Sequence, residues 1–392
     1  MKILPLLIAT FCTANLIAQS SADFTFKALR QLGEEKEKKS IFISPYSIRT
    51  ILSLCAEGAE GKTLSEMLEA LSLPTDANQR RREMQSVLDK LGQAKSFELL
   101  STNTIWIDKS IRLLQSYSKI AQNHYQSVVK VLGFSQDPEK ARNTINNFVA
   151  EKTKQMIKNL IPSGLINRQT RLVLTNTIYF KADWEKSFDK KNTQMKDFWL
   201  RESEKKSVKM MYQKNRFSAG SYAGNKVIAL PYKGDEAKMW VILPENKDLS
   251  SLVKKIDASM WQKLKAAAQN QEVLLTLPLF EFETKYRMKE YLEAMGMGTA
   301  FSEMASFPNI SQKVGLKISE VIHQAKIKVE EKGTEAAAAT AVIMELKSSM
   351  MKSEMPPPPF IFTADHPFLF LIEHTASQEI LFAGTMLDPS AK

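Results

Sequence analysis

Apolar positions recur at helical spacing through the first half of the chain. Ile48, Ile51, Leu52 and Cys55 follow Ser44-Pro45, a capping serine with proline at the first helical position, and predict a helix that Gly58 and Gly61 end. Thr63 and Glu66 form a capping-box pattern around Leu64, Met67, Leu68 and Leu71, a second helix. Residues 76–95 predict a helix with a polar face that carries Arg80, Arg81 and Arg82, and Asp137-Pro138 opens another with Ala141, Ile145, Phe148 and Val149 on one side. The pattern then changes. Extended runs occupy 172–180, 238–243, 273–282, 368–372 and 380–383. Helices gathered in the first half and strands in the second, with no repeat and no low-complexity linker between them, predict one α+β domain with a large sheet.

One stretch fits neither half cleanly. Residues 333–342 read GTEAAAATAV. Alanine propensity favours helix, but alternate positions Thr334, Ala336, Ala338, Thr340 and Val342 form a face with no charge and little bulk. The stretch is either a helix turn or a strand able to slide between others. Farther on, Pro356 to Pro359 favour an extended, exposed connection that cannot sit inside a central sheet.

Composition adds limits. With 392 residues and 44% hydrophobic content the chain can bury a large core. Residues 1–18 place Lys2 before an apolar run and then small residues, which reads as a secretory signal peptide cleaved after Ala14, Ala18 or Ala22. The mature domain is then 19–392, secreted and extracellular. No later apolar run approaches the ~20 residues of a membrane span, so no membrane partner is expected. Cys12 falls in the leader, which leaves Cys55 alone on an apolar helix face as an inert thiol with no intramolecular disulfide. Asn309-Ile310-Ser311 is the one glycosylation sequon.

The net charge of +11 raises the question of a polyanion. Secretion argues against nucleic acid. Acidic side chains interleave with the basic ones in 76–95 and in 181–214, so solvated faces are the favoured reading of both, and a sulfated, heparin-like polysaccharide at Arg80, Arg81 and Arg82 is the sharper alternative. Catalytic patterns are missing: no GxSxG, P-loop, HExxH or CxxC occurs, and Gly296-Met297-Gly298 lacks the third glycine of a dinucleotide fingerprint. His124, His323, His366 and His374 are the only histidines, and the His366/His374 pair reads as packed or hydrogen-bonded side chains, so no metal, cofactor or enzyme site is expected.

The C-terminal residues carry a specific resemblance. Residues 362–372, FTADHPFLFLI, and 331–338, EKGTEAAA, are similar to the C-terminal signature and reactive-loop hinge of the serpin family. Residues 42–48 (FISPYSI), 58–63 (GAEGKT) and 175–184 (TNTIYFKADW) match in family order, so the resemblance spans about residues 23–389. It implies the serpin fold: a single α+β domain with a large central mixed sheet, additional sheets, surrounding helices and an exposed reactive-centre loop at about 331–359. It implies a monomeric suicide inhibitor of serine proteases whose cleaved loop inserts into the main sheet through the hinge Gly333, Thr334, Glu335, Ala336, Ala337, Ala338, Ala339 and Thr340. By the same resemblance Ser44, Ser47, Asn176 and His323 form a polar cluster beneath the sheet centre, and Trp184 sits where the hinge enters.

The family's usual spacing from the hinge glycine places the reactive bond at Lys347-Ser348, which implies trypsin-like targets with a carboxylate at the base of the primary pocket, and Met344 and Leu346 in neighbouring subsites. The loop beyond is longer than most, so Lys352 is a rival, and Met350 or Met351 would imply elastase- or chymotrypsin-like targets instead. The further alternative is a non-inhibitory serpin acting as carrier, chaperone or storage protein.

Overall fold

A computed structural model describes residues 4–34, 39–312, 315–334 and 357–391. The helices of the first half are α1 (Leu4–Leu32), α2 (Pro45–Glu57), α3 (Gly61–Ala70), α4 (Ala77–Gln93), α5 (Gln115–Tyr125) and α6 (Pro138–Lys152). Local chemistry starts three of these six. Ser44 accepts the Ser47 N–H with Pro45 at the first helical position, Asp76 accepts the Gln79 N–H, and Asp137 accepts the Lys140 N–H ahead of α6. The capping box expected at Thr63 and Glu66 does not form. The third helix starts at Gly61, where φ is +57°, and both side chains serve a distant segment: Thr63 Oγ1 accepts the Ser306 N–H, and Glu66 accepts the N–H and hydroxyl of Thr299.

The strands are β1 (Phe42–Ile43), β2 (Phe97–Asp108), β3 (Val128–Leu132), β4 (Leu172–Asp183), β5 (Gln194–Arg201), β6 (Glu204–Tyr222), β7 (Asn225–Pro231) and β8 (Ala237–Pro244). They continue with β9 (Gln269–Pro278), β10 (Phe280–Arg287), β11 (Glu320–Val329), β12 (Gly333–Thr334), β13 (Phe360–Thr363), β14 (Phe368–His374) and β15 (Ile380–Met386). Two sheets result. The six-stranded main sheet runs β10-β11-β12-β4-β2-β3, and a nine-stranded sheet runs β1-β15-β14-β8-β7-β6-β9-β13 with β5 beside β6.

The extended run at 273–282 is two strands rather than one. Pro278 ends β9 in the nine-stranded sheet, and the chain crosses at Leu279 to begin β10 in the main sheet. Proline removes a ladder donor, and here it marks the change of sheet. Helix α2 runs beneath both sheets and is buried along its whole length. Its cap Ser44 and its Ser47 are both 0% exposed, and each hydroxyl is hydrogen-bonded within the protein. Among the described residues no helix is long and apolar enough to cross a membrane.

Candidate functional site

The main sheet has a seam at its centre. Strands β4 and β11 pair in parallel from Val173↔Glu320 to Tyr179↔Lys326. Beyond that point they part, and β12 lies between them, with Thr334 opposite Val329 on one side and Ala182 on the other. The chain reverses tightly to get there: the Glu330 N–H donates to the Gly333 carbonyl at 2.9 Å, and the Gly333 N–H donates back at 3.2 Å. Only glycine fits this turn. A Cβ at position 333 would lie 2.2 Å from the Ala182 carbonyl oxygen.

Aromatic side chains line the slot. Trp184, at the end of β4, donates its indole N–H to the Glu330 carbonyl at 2.9 Å and its backbone N–H to the Lys332 carbonyl at 2.8 Å. Its ring stacks on Tyr232, with centroids 4.5 Å apart and planes 10° from parallel. The Tyr232 and Thr334 hydroxyls are 2.7 Å apart, and Thr334 is 1% exposed. Burial pushes the Tyr232 phenol well up, so it stays neutral. On the outer side the Thr193 hydroxyl donates to Glu331 at 2.8 Å, and the Phe188 N–H donates to the Glu331 carbonyl at 2.8 Å.

Lower on the seam the two strands are tied by their side chains. Asn176 and His323 are register partners, and the His323 Nδ1 bonds to Asn176 Oδ1. The tautomer follows from the other nitrogen: the Ser44 N–H donates to Nε2 at 3.0 Å, so Nε2 accepts and Nδ1 carries the proton. Burial holds this imidazole down to about 3, which keeps it neutral. The Asn176 amide donates to Ser47 Oγ and Asn103 Oδ1, the Ser47 hydroxyl lies 3.1 Å from Asn103 Oδ1 and 3.2 Å from Ser101 Oγ, and the Ser44 hydroxyl donates to the Leu381 carbonyl at 2.6 Å. Ser44, Ser47, Asn176 and His323 thus meet in one cluster joining α2, β4, β11 and β15. Sequence reasoning missed Asn103, Ser101 and Tyr232. Asn103 is the register partner of Asn176, a relation visible only once β2 is paired with β4.

The arginine triplet does not form a three-charge surface patch. Arg80 is 5% exposed and donates to Glu57 and to the carbonyls of Pro74 and Thr75, while Arg81 makes two bonds to the same carboxylate. Tyr125 donates a further bond to Glu57. Two of the three guanidinium groups therefore hold α4 against α2 and α5, and Arg82 alone is exposed. Asn309 is exposed beside a buried Ser311. The Cys55 thiol is fully buried, and burial pushes its pKa up. His366 is held between Asp365 and the Pro244 carbonyl, and His374 bonds to Ser377. Among the described residues no three potential ligands gather. Glu335, Ala336, Ala337, Ala338, Ala339, Thr340, Met344, Leu346, Lys347, Ser348, Met350, Met351 and Lys352 lie outside the described residues.

A mixed sheet whose two central strands part around a short segment of the chain, above a buried polar tie between those strands, defines the class of fold. Comparison with known proteins gives this class its family. The model of the serpin (serine protease inhibitor) family matches residues 19–389. The chain is 36% identical over 377 residues to an uncharacterized serpin-like protein of Methanosarcina acetivorans, across 95% of this chain and 88% of that one. It is 35% identical over 383 residues to human serpin B8, across 95% and 99%. Among solved structures it is similar to Serpin48 of the insect Tenebrio molitor, with TM-score 0.84, 29% identity and coverage of 95% and 98%. It is also similar to human thyroxine-binding globulin complexed with thyroxine, with TM-score 0.86, 28% identity and coverage of 97% and 100%. The chain belongs to the serpin family.

Proposed function

We propose that the protein is a secreted suicide inhibitor of trypsin-like serine proteases, cleaved after Lys347 and trapped as an acyl-enzyme when its hinge enters the main sheet. The protease serine hydroxyl attacks the Lys347 carbonyl, the bond to Ser348 breaks, and the new amine leaves with a proton relayed by the protease. An ester joins the two proteins. The adduct persists only where insertion outruns attack by water.

The observation that carries the reading is the placement of Gly333 and Thr334 between β4 and β11. Extending that register puts Ala336 between Phe180 and Ile327, Ala338 between Ile178 and Ala325, and Thr340 between Asn176 and His323. The two alanines offer no bulk to resist passage between the strands. Thr340 would arrive where the Asn176–His323 bond now closes the seam, and its hydroxyl can both donate and accept there. A leader ending at or before Ala18 would leave Ser21 in place, and Ser21 bonds to Glu379; cleavage after Ala22 would remove that contact.

The test is incubation with trypsin followed by a denaturing gel and mass analysis of the released peptide. An adduct that survives denaturation, with a peptide beginning at Ser348, supports the reading. Cleavage without adduct by trypsin, elastase and chymotrypsin would overturn it in favour of a carrier role of the kind thyroxine-binding globulin's complex illustrates. An adduct with elastase or chymotrypsin and a cut at Met350 or Met351 would instead move the reactive bond.

A further inference from the structure

Away from the seam, helices α2 and α4 enclose a second feature. Tyr46, Arg49, Thr50 and Ser53 from α2, and Arg80, Glu83, Met84 and Val87 from α4, face each other at the same helical spacing, and Glu379 closes one end. The space between them is a cavity of about 20 Å³. Two of the residues that line it, 1% and 2% exposed, each carry a buried polar atom without a protein partner: Ser53 Oγ and Glu379 Oε2. The neighbouring groups are occupied. Thr50 donates to the Tyr46 carbonyl, Arg49 donates to Ser20, Leu71 and Ser72, and the other Glu379 oxygen accepts from Ser21 at 2.7 Å.

We propose that this cavity is a binding site for one ordered water molecule that bridges Ser53 Oγ and Glu379 Oε2. The volume fits the class of ligand, since a single water needs about 10–15 Å³ measured this way and an oxyanion needs far more. The chemistry fits as well. Burial pushes the Glu379 carboxyl up, against the pull of Arg49 and Ser21. A protonated Oε2 needs an acceptor and an ionised one needs a donor; water serves both, and Ser53 completes it from the other side. An ion would serve only one, in a cavity whose wall already holds two arginines and two glutamates.

The bridge has a structural consequence. Ser44, just before α2, is tied to β15 through the Leu381 carbonyl, and Ser53 lies two and a half turns along the same helix, opposite the residue that precedes β15. The water ties Ser53 of α2 to Glu379, the residue before β15, from the face of the helix half a turn away from the one that Ser44 uses.

The experiment is a crystal structure of the intact chain near 1.8 Å, paired with water-proton or oxygen-17 relaxation dispersion on wild type and Ser53→Val. The expected result is one water within hydrogen-bond reach of both atoms, and one fewer long-lived water in Ser53→Val. A dry cavity, a direct Ser53–Glu379 hydrogen bond, a bound ion, or an unchanged water count in the variant would each overturn the assignment. Should Ser53→Val fail to fold, Ser53→Ala removes the hydroxyl without adding volume, and the same loss is expected.

Discussion

Thr334 is the residue on which the slot turns, because its hydroxyl has one partner and no solvent. Tyr232→Phe removes that partner and leaves the Thr334 hydroxyl buried and unpaired. Such a loss costs about 1 kcal/mol, roughly a fivefold change in occupancy. Amide exchange at Gly333 and Thr334 is expected to accelerate about fivefold, and unchanged exchange would mean that backbone pairing alone holds the strand.

His323 makes a pH prediction with a definite sign. Its folded value near 3 lies below the ordinary 6.5 it regains on unfolding. The unfolded chain therefore binds the proton first, so the stabilisation is complete above pH 6.5 and is lost as the pH falls from there toward 3. Between pH 7.5 and pH 5 the loss is about 2 kcal/mol from this group. Denaturant midpoints measured across that range should fall with acid in the wild type and less steeply in His323→Gln.

At the scale of elements, sequence and structure agree where one face of a segment decides everything and part where two distant segments must meet. The Ser44 and Asp137 helix starts and the apolar strands 172–180 and 380–383 are readable because each depends on near neighbours in the chain. The 19 residues of β6 are not, because lysines at 205, 206, 209 and 214 read only as solvated faces when the pairing with β5 and β9 is unknown. The α4 arginines were misjudged for a related reason: their partner, Glu57, lies on another helix. Seen from the chain alone they were surface charge, and in the fold two of them are fasteners. Removing that carboxylate by Glu57→Ala leaves Arg80 buried without its counter-charge, a situation that costs about 3–5 kcal/mol. Arg82→Ala, at an exposed position, is expected to change stability by no more than about 0.5 kcal/mol. Thermal unfolding of both variants separates the roles, and equal effects would refute the division.

For the whole molecule the decisive contest is between sheet insertion and hydrolysis. A guanidinium in the Thr334 position would have to be taken out of water between two strands, a penalty of several kcal/mol that slows the advance. On the proposed mechanism Thr334→Arg turns the inhibitor into a substrate: the ratio of adduct to cleaved chain on a denaturing gel is expected to drop at least tenfold against the wild type. An undiminished ratio would show that the slot is not the route of entry. The family motifs made this architecture legible in outline, but the register at which β12 stands between β4 and β11 is a property of three strands far apart in the chain, and no single stretch encodes it.

That register also fixes a direction. On the proposed mechanism the chain beyond Thr334 moves down the seam, and from the Tyr179–Lys326 pair onward each step gives up one parallel pairing between β4 and β11 and gains antiparallel pairings on both edges. Forward travel is repaid at every tooth, and reversal would have to strip two ladders together. In that proposal the molecule is a cocked ratchet with seven teeth, Val173 to Tyr179 against Glu320 to Lys326, and a single stroke. On the proposed mechanism it is consumed in use: one molecule stops one protease, and the capacity of any sample is the number of chains still unfired.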